Sequence, residues 1–205
     1  LQKRSGGGKR VDKDSVRAFF DACAPTWDAG MVRSERVIGT ILDGARVGAG
    51  KTVLDVACGT GVLFPDYLAR GVSHVTAIDI SPAMADIARS KAAGKPITVL
   101  CGDVESYAFG GTFDCVVVYN AFPHFPDSAR ILAVLARLVS PGGTLTIAHG
   151  MSREKLAHHH SGAASAVSIG LPELDALAAL LPAELTPLVR ISDDTMYQLT
   201  AVKKP

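Results

Sequence analysis

The chain has 205 residues, is 48% hydrophobic and carries a formal net charge of +1. That length suits one domain with a full core, and the composition excludes a disordered chain. The near-zero charge gives no electrostatic ground for binding nucleic acid or an anionic membrane, and no apolar run is long enough to span a bilayer.

Residues 1–13 are charged and glycine-rich and read as a flexible tail without the apolar stretch of a signal peptide. A single domain is expected over 14–205. Asp14 or Ser15 caps a helix over 16–23, which Pro25 breaks just before Trp27, the only tryptophan. A second helix over 34–45 places Val37, Ile38, Ile41 and Leu42 on one face. Together, 14–50 form an N-terminal helical lid, with Trp27 on its inner side.

From Thr52 the pattern alternates strand and helix. Strands are expected over 52–57, 74–79, 97–101, 113–119 and 144–149. Helices are expected over 62–70, from Ser81-Pro82 to 91, and from Asp127 or Ser128 to 139. Residues 151–168 read as a long connection containing His158-His159-His160, followed by a helix over 172–180. Strands over 185–191 and 196–202 flank a short turn and form an antiparallel hairpin. The fold class is therefore α/β: a doubly wound, mostly parallel seven-stranded sheet with an antiparallel last strand, a Rossmann-like arrangement. The four cysteines form no Cys-x-x-Cys pair and read as free thiols in a reducing cytoplasm.

The run Asp55-Val56-Ala57-Cys58-Gly59-Thr60-Gly61 joins a strand to a helix through a glycine turn. Such a turn brings main-chain N–H groups against a nucleotide-like ligand. Asp79 ends the second strand, where a carboxylate can accept hydrogen bonds from ribose hydroxyls. Asp103 follows the third strand, where an adenine amino group can be read. Ligands of open α/β sheets bind along this carboxyl edge.

With its motifs in this order, the chain resembles the class I S-adenosylmethionine (SAM)-dependent methyltransferases. Val53 to Gly61 is similar to their glycine motif, Ala77-Ile78-Asp79-Ile80-Ser81 to the acidic end of the second strand, and Gly102-Asp103-Val104 to the adenine-side motif. Phe113 to Val118 and Leu138 to Leu145 are similar to the fourth strand and to the turn into the fifth. Phe20 to Asp28 is distantly similar to the entry segment of ubiquinone/menaquinone-type methyltransferases. The resemblance implies methyl transfer from SAM to a small molecule, releasing S-adenosylhomocysteine (SAH). It implies that the backbone around Ala57, Gly59 and Gly61 borders the methionine part, and that Asp55 orients that turn or the methionine amino group. Asp79 and Ile80 would then hold the ribose, Asp103 and Val104 would meet the adenine, and Asn120 would lie near the sulfonium. Ala57 replaces the first glycine of the longer family pattern. An NAD-dependent oxidoreductase would need a third glycine where Phe64 stands, and a non-catalytic SAM- or metal-binding module is the other alternative.

The acceptor is not named by the sequence. Candidate acid–base groups are His124, His149, His159 and His160, and candidate acceptor-lining residues are Trp27, Phe122 and Phe125. A histidine is a suitable general base near neutral pH. No metal is expected, with His124, His149 and His159 as the ligand set that a metal reading would require. A homodimer is left open.

Overall fold

The computed structural model describes residues 11–159 and 163–205, without the side chains of 159, 163 and 164. The sheet has seven strands in the order β3-β2-β1-β4-β5-β7-β6. They are β1 (Thr52–Val56), β2 (His74–Asp79), β3 (Ile97–Cys101), β4 (Phe113–Tyr119), β5 (Val139–His149), β6 (Leu185–Ser192) and β7 (Tyr197–Lys203). The first five are parallel, and β7 inserts antiparallel between β5 and β6. Strand order reverses between β1 and β4, which opens a crevice at their carboxyl ends.

Side chains alternate across the strands and build a core on each face. Leu54, Val56, Val116, Val118 and Ile147 face α5 (Ser128–Leu138) through Ile131, Leu132 and Leu135, with Leu177 of α7 (Leu174–Ala179). Val53, Val75, Ala77, Cys115 and Val117 face α2 (Glu35–Gly44), α3 (Phe64–Ala69) and α4 (Pro82–Ala92) through Ile38, Leu42, Phe64, Tyr67 and Ala88. The helix starts are chemically marked. Asp12 caps α1 (Lys13–Cys23), Ser34 caps α2, Ser81 caps α4 and Asp127 caps α5, each accepting from main-chain N–H groups.

The first helix begins at Lys13 rather than 16 and is capped by Asp12 rather than Asp14 or Ser15, so residues 11–13 belong to the fold, and β5 begins at Val139 rather than 144. Two further elements differ from expectation. The expected helix over 62–70 is shorter, because the turn continues to Leu63 and Pro65 starts the first helical turn. The expected connection over 151–168 contains α6 (Arg153–His159) and a short 3₁₀ turn at Ala163–Val167. Among the described residues no helix is long and apolar enough to cross a membrane.

Candidate active site

A cavity of about 550 Å³ opens on the carboxyl edge of β1 to β4. Its floor is the turn after β1. Ala57, Gly59 and Gly61 have φ of 53°, 55° and 82°. A left-handed alanine is strained by roughly 1 kcal/mol, and two hydrogen bonds hold the turn around it. Cys58 N donates to Ile78 O at 3.1 Å, and Gly59 N donates to an Asp79 carboxylate oxygen at 2.8 Å. A Cβ at Gly59 would meet nothing within 4 Å, so its main chain is open to the cavity. A Cβ at Gly61 would lie 2.4 Å from the Phe64 ring. Gly61 is therefore a packing glycine, off the cavity wall, while Ala57 and Gly59 line it.

The three acids have different environments. Asp79 is 7% exposed, and its second oxygen accepts from Ser81 N at 2.9 Å. Burial pushes its titration up, although the main-chain donors work the other way. Asp55 lies beneath the turn and does not reach the cavity. Burial, reinforced by the charge of Asp79, pushes it up to about 8, so it is largely protonated at neutral pH. Asp103 lies on the wall. One of its oxygens accepts from Glu105 N at 3.0 Å and the other takes Lys13 Nζ at 2.7 Å. Lys13 also reaches Glu105 at 2.8 Å, and Arg130 meets the other Glu105 oxygen at 2.6 Å. Burial opposes the charge of Lys13, but the two carboxylates prevail and raise its titration. Ile80, Val104 and Asn120 complete the cofactor-side residues expected from the sequence.

The opposite wall comes from the N-terminal elements. Val16, Phe20, Cys23 and Trp27 recur at helical spacing and present one apolar face to the cavity. Trp27 stays 39% exposed and meets Phe20 edge-on, with ring centroids 5.6 Å apart. Arg33 lines the cavity beside the turn. It donates to Val62 O at 2.7 Å and pairs with Asp66 at 2.8 Å. Three further contacts fasten this segment to the sheet domain. Ser81 Oγ donates to Asp21 at 2.5 Å, Thr60 Oγ1 donates to Asp28 at 2.6 Å, and Lys91 pairs with Asp28 at 2.6 Å.

His124 and Phe125 line the cavity, as expected. His124 Nδ1 lies 2.8 Å from Val167 O. A carbonyl can only accept, so Nδ1 carries the proton of the neutral ring and Nε2 carries the lone pair. Phe20 packs edge-on against the imidazole at 4.9 Å. Phe122 is a correction: it is fully buried beside Ile131 and Leu132, because the 3₁₀ turn Phe122–His124 directs it into the core. His149 is also off the wall. Register pairs it with Tyr197 of β7, and its ring lies buried 6.4 Å from the Tyr197 ring. His160 and the side chain of His159 lie outside the described residues. Among the described residues no group of three or more His, Cys, Asp and Glu could hold a metal ion. Lys13, Arg33 and Met151 line the cavity without having been singled out in the sequence, and Phe20 and Tyr119 line it without having been given a role there. The helical spacing of 16, 20, 23 and 27 was the available signal for Phe20.

Residues 53–143 match the family described as "Methyltransferase domain". The ubiquinone biosynthesis O-methyltransferase of Coxiella burnetii is 29% identical over 145 residues, covering 67% of this chain and 62% of the relative. That of Vibrio cholerae is 31% identical over 145 residues, covering 66% and 59%. The chain thus spans about three fifths of the length of the curated relatives it matches. Among solved structures, a chain of the Haloferax volcanii complex between the Trm112 methyltransferase activator and a methyltransferase superposes with a TM-score of 0.75 at 22% identity, covering 91% of this chain and 98% of that one. The N-methyltransferase NodS from Bradyrhizobium japonicum, bound to SAH, gives 0.73 at 15% identity, covering 94% and 100%. The glycine turn, the acids at the ends of β2 and β3 and the inserted antiparallel β7 agree with the domain match: residues 53–143 carry a methyltransferase domain, and the chain is similar to the class I SAM-dependent methyltransferases.

Proposed function

We propose that the chain transfers the methyl group of SAM to the hydroxyl oxygen of a small molecule by in-line displacement, releasing SAH. The observation that carries this reading is one cavity with two unlike halves. One half joins the open main chain at Gly59 to the carboxylates of Asp79 and Asp103. The other is apolar and aromatic, with one imidazole among the described residues, that of His124, on its wall.

The residues suit the cofactor. Asp79 accepts two main-chain N–H groups, and each carboxylate oxygen retains a second lone pair for a ribose hydroxyl. Ile80 and Val104 supply apolar surface for an adenine, and Asp103 an acceptor for its amino group. Arg33 supplies positive charge at the turn, where the carboxylate of the methionine part would lie. The sulfonium of SAM supplies the electrophilic carbon. The protein aligns the acceptor, excludes water and removes a proton. Alignment of two reactants can contribute roughly 7–11 kcal/mol. His124 takes the proton at Nε2 while Val167 O holds the ring in that tautomer. The segment bearing Phe20 and Trp27 acts as the lid. The names of the relatives, O-methyltransferases, support oxygen as the acceptor atom. The free thiols of Cys23, Cys58, Cys101 and Cys115 support a cytoplasmic location.

Calorimetry with SAM, SAH and NAD tests the cofactor. Binding of the first two without NAD is expected, and NAD binding without SAM affinity would overturn the reading. Labelled SAM screened against phenols, thiols, amines and quinone precursors tests the acceptor, with label expected in phenols.

A further inference from the structure

Tyr119 ends β4, and its hydroxyl has no role in the reading above. Its ring packs with Val37 and Ile41 of α2 and Ala148 of β5, and it forms part of the cavity wall. A Cβ added at Gly150 would stand 2.3 Å from the Tyr119 oxygen. The missing side chain at Gly150 is therefore the space the phenol occupies. Asn120, held at φ 55°, accepts Gly150 N on Oδ1 at 2.9 Å. This contact ties the end of β4 to the end of β5. The amide lies beside the phenol and draws its titration down, but burial outweighs this and raises it. Tyr119 is thus a protonated hydroxyl at neutral pH. Among the described residues, the Asn120 side chain is the hydrogen-bonding group beside the phenol.

We propose that the Tyr119 O–H donates a hydrogen bond to the reacting oxygen of the acceptor. This rests on the methyl-transfer reading and deepens it. As transfer proceeds, the acceptor O–H proton passes to His124 Nε2. An oxygen lone pair forms the new bond to the methyl carbon, and the C–S bonding pair returns to sulfur, leaving a neutral thioether. Negative charge gathers on the oxygen as its proton leaves. A fixed donor stabilises that charge and holds another lone pair on the line of attack. The arrangement favours acceptors whose oxygen bears charge readily, phenols over alkyl alcohols, because an imidazole base is far better matched to a phenol.

The test uses 4-nitrophenol, whose ionisation is visible, bound to the protein saturated with SAH. The bound probe should ionise about one pH unit lower in the native protein than in Tyr119→Phe, a roughly tenfold difference in ionisation constant for one hydrogen bond to a charged oxygen. SAH affinity is measured in parallel, and the comparison is made with both proteins saturated with SAH. Gly150→Ala displaces the phenol and should shift the probe in the same direction. In the Tyr119→Phe background it should have no further effect, since the oxygen it strikes is gone. Equal titration in native and Tyr119→Phe proteins, or an SAH complex that binds no 4-nitrophenol, would overturn the proposal. Failure of the native protein to bind SAH would instead overturn the methyl-transfer reading.

Discussion

Asp79→Ala separates what Asp79 does for the fold from what it does for the cofactor. The carboxylate accepts Gly59 N at 2.8 Å and Ser81 N at 2.9 Å in a 7% exposed position. Each donor left without a partner costs about 1–3 kcal/mol. Loss of a buried carboxylate offsets part of that, because desolvation already raises its titration. The net expectation is a loss of about 2 kcal/mol, tolerable for a domain stable by about 5–15 kcal/mol. Cofactor affinity should fall further. Hydrogen bonds to a charged group contribute about 1.5–3 kcal/mol each, so two ribose contacts predict an SAH affinity about a hundredfold weaker or more. Urea unfolding measures the first quantity and calorimetry the second. Asp79→Asn serves as the control: it keeps one acceptor oxygen, so it should lose less stability and still bind SAH poorly. A folded Asp79→Ala protein that binds SAH within about threefold of the native affinity would refute the ribose assignment.

His124→Gln should lower turnover about a hundredfold, in the range of general-base losses, and leave SAM affinity unchanged; unchanged turnover with a phenolic acceptor would remove His124 as the base. Lys13→Ala breaks two contacts between α1 and the Asp103–Glu105 turn. It should speed proteolysis within 11–33 and weaken SAH binding several-fold at most, since partly exposed ion pairs contribute little; an unchanged cleavage rate would show that the latch lies elsewhere. Asp55 gives a pH effect of definite sign. It titrates near 8 in the fold against 3.8 for the free side chain, so the folded state binds the extra proton and stability falls as pH rises between these values. Asp55→Asn, which stays neutral, should flatten that dependence, and urea unfolding at pH 5 and pH 8 with the same slope in both proteins would contradict it.

The scaffold was largely legible because main-chain rules write it into the sequence. β2, β3 and β4 have the bounds their apolar, β-branched runs imply. The turn after β1 had to admit positive φ, and glycine at 59 and 61 announces that. The cavity's second wall was less legible. Lys13 stands among charged residues that resemble a tail, and only the fold brings it to Asp103, ninety positions away. Tyr119 ends an apolar run, where core packing and a cavity-facing hydroxyl look alike. Phe122 and His149 err the other way. Both sit at the correct edge, but a 3₁₀ turn sends one into the core and the β5–β7 register buries the other.

These errors share a cause that bears on how the site works. The sheet edge sets where a ligand lies through main-chain groups, and those depend little on which side chains surround them. The opposite wall of the cavity is built from side chains of four separate segments: α1, the end of β4, the loop with His124, and Met151 beyond β5. Only one of those segments, α1, is fastened to the cofactor half through Asp103. Asp103 holds Lys13 of α1, and the same helix carries Phe20, which packs against the imidazole of His124. Asp103 and His124 are linked through Lys13, α1 and the single Phe20–His124 contact, alongside the bonds of Asp21 to Ser81 and of Asp28 to Thr60 and Lys91.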